Sequence, residues 1–430
     1  MAITDVTGAF LQAPIVGSAA SSVRVKLPSL FPKGKRWSFV AGGVYGLRKA
    51  LCGLKDAPRI FTQWLKKVLF RLFSFSECVE SILIQTRSPV PSPVRSSDEK
   101  LWADVEQADI TAACQMHVDD LFLLAPDPLD LLKQFGKNVE CEDPELIGAK
   151  RKKVVGLEMA HDRQKGEITQ GQMSYVSTES LHEPKRSRKL EKADFEKPEE
   201  KEVDMRLEKI FRSLLGMLGW LCKTRFDLSF AFSQLSRWSS CPSPRVLRTL
   251  STVLFLAVEK ACELVFLAVC LPELRLFVDA AYCDRLCEAR SGYVFQLANA
   301  DWPLTCRANL IDWASHREKR LMRSTAGAEL LALCQGVLRM PLLLRITRML
   351  FGKVKVHVLT DSAALVEQLK NRVCKKEPTL QGRLLFVLQE LEAVGASFEH
   401  VDGAVSQMAD CLTKWKDPDV AWPKPMDAAY

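Results

Sequence analysis

No Cys-x-x-Cys pair occurs anywhere in these 430 residues. The 14 cysteines are scattered singly from Cys52 to Cys411. The closest two, Cys283 and Cys287, have no second pair or His-x-x-x-His to complete a zinc site. Thiols this dispersed in a chain this long exclude a disulfide scaffold and suit buried thiols in a reducing compartment. The amino terminus, Met-Ala-Ile-Thr-Asp-Val, lacks the basic region and apolar block of a signal peptide. The greasiest stretch, 253–278, is broken by Glu259, Lys260, Glu263, Glu273 and Arg275, so it falls short of a membrane span. No internal repeat is visible. These absences lead to the expectation of a soluble intracellular protein, in cytoplasm or nucleus, with no membrane partner.

What is present is an ordinary globular composition. Hydrophobic residues make up 47% and charged residues 26%, which permits a large core and rules out a wholly disordered chain. The length implies roughly two to four domains. Sixty Lys and Arg against 52 Asp and Glu leave a net charge of +8, a mild excess that permits a nucleic-acid partner without proving one.

Two stretches interrupt this texture. Residues 87–106 carry Ser-Pro-Val-Pro-Ser-Pro-Val, which can hold neither a helix nor a central strand. Charges of both signs dominate 182–209 and mark a solvated connector. Between 110 and 125, an apolar run interrupted by two adjacent aspartates predicts a β-hairpin with carboxylates at its turn. Residues 211–257 space Leu, Met, Trp and Phe as packed helices do. Beyond them, 274–280, 291–298 and 309–315 read as three strands. A long helix over 326–349 follows, then strand 354–360, helix 362–370, helix 380–394, strand 396–401 and a last helix near Ser406. That order predicts an α/β layer with helices packed on a mixed sheet.

Burying unpaired charge is costly, so Asp119 and Asp120 between core-like flanks need an explanation beyond a polar turn. Asp5 ends another apolar segment. Three carboxylates at strand ends are what a site needs to hold two divalent cations for phosphoryl transfer.

The surrounding text carries a resemblance. Asp-Val-Thr-Gly-Ala-Phe-Leu from Asp5, Gly-Leu-Lys-Asp-Ala-Pro-Arg ending at Arg59, and His-Val-Asp-Asp ending at Asp120 are similar, in order and spacing, to copia-type retrotransposon reverse transcriptases. Val-Gly-Leu-Glu-Met-Ala-His-Asp from Val155 and Ser-Leu-Leu-Gly-Met-Leu-Gly-Trp from Ser213 resemble the segments that join polymerase to ribonuclease H in copia polyproteins. The resemblance implies that Asp5, Asp119 and Asp120 bind the catalytic metals of a polymerase palm. It places Phe10 as the aromatic that excludes a ribose 2′-hydroxyl, although an ordinary core Phe fits the spacing nearly as well. Gly53, Lys55 and Arg59 would lie against nucleotide and template.

Asp279 ends a strand, Glu329 lies early in the long helix, Asp361 follows a strand and Asp410 starts the last helix. Each alone is banal, and Asp361 could merely cap a helix. Together they match the Asp-Glu-Asp-Asp set of ribonuclease H, and the texts Val-Asp-Ala-Ala-Tyr, Ser-Thr-Ala-Gly-Ala-Glu-Leu and Thr-Asp-Ser-Ala-Ala around them resemble the copia version. Departures stand out. Ala281 and Gly327 occupy positions where the family has acidic residues, and a stretch beginning at Glu377 replaces a Lys-His-Ile-Asp signature.

The implied organisation is a palm over 1–178, the connector 179–210, a helical thumb over 211–272, a ribonuclease H-like domain over 273–418 and a tail over 419–430. The implied cofactor is Mg²⁺ or Mn²⁺. The implied partners are an RNA template, a DNA primer, an RNA–DNA hybrid and deoxynucleoside triphosphates. The chain opens almost at Asp5, so the fingers that hold a triphosphate are expected to be missing and DNA synthesis to be negligible. The alternative expectation is an inert transposon remnant that at most binds nucleic acid.

Overall fold

Alternating burial along 110–124 produces the expected hairpin. Ala112, Cys114 and Met116 turn inward on one strand, Leu121 and Leu123 on the next. Every other side chain therefore faces one core, which fixes the register. In this computed structural model the described residues are 1–14, 24–26, 43–52, 54–79, 81–87, 109–172, 174–175, 188–283, 288–305, 308–403 and 408–418. Gly53, the loop 88–106, residues 179–187 of the connector, Cys287, Ser406 and the tail 419–430 lie outside them.

The chain divides into two units, 1–94 with 108–155 and 95–107 with 156–430. The first contains β1 (Ala2–Asp5), α1 (Ala9–Gln12), β2 (Arg24–Lys26), β3 (Val44–Gly46), α2 (Ala57–Phe73), β4 (Ser76–Val79), β5 (Ile82–Thr86), β6 (Ile110–His117), β7 (Asp120–Leu124), α3 (Pro128–Gly136), β8 (Glu145–Leu146) and β9 (Lys152–Val154). Six of its strands form an antiparallel sheet in the order β4-β5-β6-β7-β1-β8. Helix α2 has Pro58 in its first turn, where no amide hydrogen is missed, and buries Phe61, Leu65 and Leu69 at four-residue spacing.

The second unit opens with β10 (Leu157–Asp162) and β11 (Glu167–Gly171), then α4 (Glu208–Leu221), α5 (Ser229–Leu235), α6 (Pro244–Glu259) and β12 (Leu264–Phe266). The three helices share an apolar core of Phe211, Leu214, Leu218, Leu235, Leu250 and Val253. A difference from the sequence reading appears here. Residues 264–266, placed in a helical thumb, form a strand that pairs with β11, because three residues on a sheet edge meet long-range partners that periodicity does not encode.

The rest of the unit is β13 (Pro272–Cys283), β14 (Glu288–Asn299), β15 (Asn309–Arg317), α7 (Thr325–Phe351), β16 (Lys355–Thr360), α8 (Ala363–Asn371), α9 (Gln381–Val394), β17 (Ser397–His400) and α10 (Asp410–Thr413). The strands form one mixed sheet in the order β15-β14-β13-β16-β17, parallel from β13 through β16 to β17 and antiparallel elsewhere. This is the α/β layer expected from the element order. Leu274, Leu276 and Val278 face α7, while Phe277, Val294 and Leu359 face Leu412 of α10. At 27 residues α7 is long and apolar enough to cross a membrane by length and composition, which corrects the choice of 253–278 as the greasiest stretch. Its apolar window is 61% buried inside the protein, as a core helix requires. Gly336 lets it approach the sheet closely, since a Cβ there would meet Leu276 Cδ1 at 2.8 Å.

Candidate metal centre

The second unit draws three far-separated carboxylates together. Asp279 lies in the central strand β13, Glu329 in the second turn of α7, and Asp361 directly after β16. Strands β13 and β16 are parallel neighbours, so their carboxyl ends share one sheet edge. One carboxylate oxygen from each residue lies within 4.8 Å of the other two. Among the described residues no other group of three His, Cys, Asp or Glu is this compact.

Burial and mutual repulsion dominate the electrostatics. Asp279 is pushed up to about 6, first by burial and then by Asp410 and Asp361, against the hydrogen bond donated by the Thr413 hydroxyl. Glu329 is pushed up to about 9 by burial, then by Asp279 and Asp361. The Ala280 amide donates to Glu329, but its Oε2 is buried with no hydrogen-bond partner. A buried carboxylate oxygen left this way is costly unless something cationic meets it. Gly403 makes room beside the cluster, because a Cβ there would sit 2.6 Å from Asp361 Oδ2. Three hard oxygen donors with an orphaned oxygen among them suit Mg²⁺ or Mn²⁺.

Asp410 is not in the compact group. It starts α10 near enough to raise Asp279, but its carboxylate is held by Lys414 and Lys416. Burial works against the charge on Lys414, yet its pKa is raised, by its hydrogen bond to Asp410 and by the charges of Asp410, Asp279 and Asp361. Sequence reasoning missed these lysines. The four-residue spacing from Asp410 to Lys414 on a helix was the available signal.

The departure at Gly327 acquires a physical account. A Cβ on Gly327 would lie 1.5 Å from Oε2 of Glu377, so this carboxylate fills the space that a side chain at 327 would take. Glu377 is buried. It accepts from the Arg323 amide at 3.0 Å and the Ser324 hydroxyl at 3.2 Å, and Ser324 in turn caps α7 through the Gly327 amide at 3.1 Å. A carboxylate at this end complements the helix dipole and its unpaired amides.

In the first unit, Asp5 on β1 and Asp120 on β7 are register partners, and Asp119 lies in the two-residue turn before Asp120. Asp5 is raised by burial, then by Asp119, Asp120 and Glu142; Asp120 is raised by burial and then by Asp119. The three repel one another without forming a ligand set as tight as the second. Val118, beside them, adopts φ 54°, a strained conformation for a β-branched residue. Phe10 packs edge-on against Phe61 at 5.8 Å as part of the core, while Lys55 is exposed. Arg59 pairs with Asp56 at 3.5 Å.

No known protein-family model matches the chain, and no curated protein does. Among solved structures it is similar to a foamy viral protease-reverse transcriptase in complex with RNA/DNA hybrid, at 13% identity, with a TM-score of 0.51, over 93% of this chain and 44% of that one. The foamy viral enzyme in complex with dsDNA aligns over 93% of this chain and 67% of that one at 13% identity, with a TM-score of 0.48. RNase H1 from the halophilic archaeon Halobacterium salinarum NRC-1 matches 33% of this chain and 93% of its own at 20% identity, with a TM-score of 0.25. The chain thus spans less than half of the hybrid-bound foamy viral chain. What this first likeness shows is the fold: the chain has a reverse transcriptase and ribonuclease H-like fold.

Proposed function

We propose that the chain is a piece of a copia-type retrotransposon polyprotein whose second unit hydrolyses the RNA strand of an RNA–DNA hybrid. The observation that carries this reading is the convergence of Asp279, Glu329 and Asp361 within 4.8 Å at the edge of a mixed sheet. In it, Asp279, Glu329 and Asp361 hold Mg²⁺ or Mn²⁺, with Asp410 alongside. A bound divalent cation would supply Lewis acidity toward water and phosphate. The protein's own part is to bury the carboxylates, orient Asp279 through the Thr413 hydroxyl, and balance spare negative charge with Lys414. RNA–DNA hybrid as partner is supported by the hybrid-bound state of the foamy viral neighbour.

For the first unit the same reading makes Asp5, Asp119 and Asp120 a polymerase metal set. RNA template, DNA primer and deoxynucleoside triphosphates are its partners, with Phe10, Lys55 and Arg59 near the nucleotide. Their looser arrangement is consistent with weak or absent DNA synthesis. A second reading, an inert remnant that only binds nucleic acid, is favoured by one observation: Asp410 is already neutralised by two lysines.

The deciding experiment is manganese-dependent cleavage of the RNA strand in a labelled hybrid by the full chain. Asp361→Asn should abolish cleavage while leaving hybrid binding largely intact. A folded wild-type chain that binds hybrid and never cleaves it would favour the remnant.

A further inference from the structure

Three guanidiniums from three elements gather near the acidic triad. Arg290 lies near the start of β14, Arg317 ends β15, and Arg237 sits in the turn after α5. Glu288 is the acidic residue they share. Arg317 reaches its carboxylate directly and Arg237 does so at 3.4 Å. Arg290 is only 7% exposed, and among the described residues it makes no ion pair. Its guanidinium donates to Ser233 Oγ at 2.6 Å, Ser315 Oγ at 3.2 Å and Gln234 Oε1 at 2.5 Å, all neutral acceptors. Burial, then Arg237 and Arg317, pull its pKa down to about 10, so it remains charged at neutral pH while its surroundings resist that charge. Trp238 lies 4.7 Å beneath Arg237 and Phe230 lies 5.1 Å from Arg290, which limits the freedom of both heads.

The cluster shares a sheet face with Asp279 of the triad. Arg290 pairs with Ala281 and Gly292 with Asp279, so the two sites stand two residues apart along the strand, roughly 7 Å. Residues two apart on a strand point to one face. That face is the one α10 covers: a Cβ on Gly292 would meet Thr413 Cγ2 at 3.1 Å, and Thr413 donates to Asp279. Ser315, which accepts from Arg290, donates to the Leu412 carbonyl at 2.6 Å.

We propose that Arg237, Arg290 and Arg317 form a subsite for the backbone phosphate of a nucleic-acid strand that passes the exposed ends of β14 and β15 beside the acidic triad. The inference rests on the proposed nucleic-acid reading and deepens it. Three positive heads against one carboxylate leave the cluster short of negative charge, and guanidinium forks match phosphate oxygens. Arg317 and Arg237, with side chains 42% and 24% exposed, present the accessible surface, while Arg290 holds the field behind them. Such a subsite lets the chain attract a strand whose phosphates the bare triad would repel.

The test is binding of a fluorescently labelled RNA–DNA hybrid to the full chain, in chelator, across a salt series. Arg317→Ala and Arg237→Ala should each weaken binding about 3- to 10-fold and lower the slope of log affinity against log salt by about one; the double variant should lose about two. Glu288→Gln, which removes the competing carboxylate, should tighten binding about 2- to 5-fold. It also keeps the proposal testable if an arginine variant fails to fold, as judged by near-ultraviolet circular dichroism. A folded double variant with wild-type affinity and slope, or weaker binding by Glu288→Gln, would overturn the subsite. So would a site for small anions: inorganic phosphate raising the melting temperature of the wild type but not the double variant, with hybrid binding equal in both. Because binding is read without metal, it separates from the cleavage reading. A wild type that shows these shifts but never cleaves sinks the activity alone, and one that cleaves with no shifts sinks the subsite alone.

Discussion

The two acidic clusters of this chain use the same side-chain type in different surroundings. Asp5, Asp119 and Asp120 gather at a hairpin turn, partly exposed. Asp279, Glu329 and Asp361 are enclosed by α7, by the loop at Gly403 and, through Thr413, by α10. Burial is the leading cause of the raised pKa values in both clusters, but only in the second does it lift them as far as about 6 and about 9. Carboxylates can be brought near one another cheaply where water screens them. Holding them together under a helix costs stability that a cation would return.

The largest expected effect breaks the enclosed cluster. Asp361→Asn should lower hybrid cleavage by at least about a hundredfold, or about 3 kcal/mol of barrier, whereas Asp119→Asn should leave cleavage unchanged. Equal losses in the two variants, measured by single-turnover assay, would erase the distinction between the clusters.

Next in size is a dependence on pH. Asp279 and Glu329 bind protons more tightly folded than unfolded, since their values rise from 3.8 to about 6 and from 4.5 to about 9. Their contribution to stability is therefore fully present below about pH 4 and is lost progressively as pH rises toward 9. In chelator, urea titrations should show the protein less stable at about pH 8 than at about pH 5 by on the order of a few kcal/mol. Adding Mg²⁺ should restore much of that loss, and Glu329→Gln should flatten the slope. A pH-independent midpoint in chelator would contradict the enclosed picture.

A smaller effect concerns the support of Glu329. Glu377→Ala removes two hydrogen bonds at the start of α7 and should cost about 1–3 kcal/mol. Gly327→Ala alone should also destabilise, because its methyl displaces the Glu377 carboxylate. In the Glu377→Ala background that clash is gone, so the two changes should be strongly non-additive in a thermal double-mutant cycle. Simple additivity would show that Glu377 does not occupy the space above Gly327.

The smallest effect belongs to the open cluster. Val118→Gly relieves the left-handed backbone at the hairpin turn and should stabilise the first unit by about 0.5–1 kcal/mol, read as a shift in its urea midpoint. A destabilised variant would mean that the Val118 side chain contributes packing that outweighs the strain.

Much of this architecture was legible in the residues. The hairpin around Asp119, the long helix carrying Glu329 and the strand and helix order of the final block all follow from periodicity, which local burial enforces every two or 3.6 residues. Strand 264–266 was not legible as such, because short edge strands are chosen by distant partners.

By itself, then, the sequence determined which segments could become strands and helices and which acidic residues stood at their ends. Only the tertiary structure decided the company each one keeps. It placed Asp279, Glu329 and Asp361 together and gave Asp410 to Lys414 and Lys416. It set Glu377 where a side chain at 327 would have been, and gathered Arg237, Arg290 and Arg317 around Glu288. Periodicity is a property of neighbours along the chain. Charge, burial and hydrogen bonding depend on neighbours in space, and strand order and register set those.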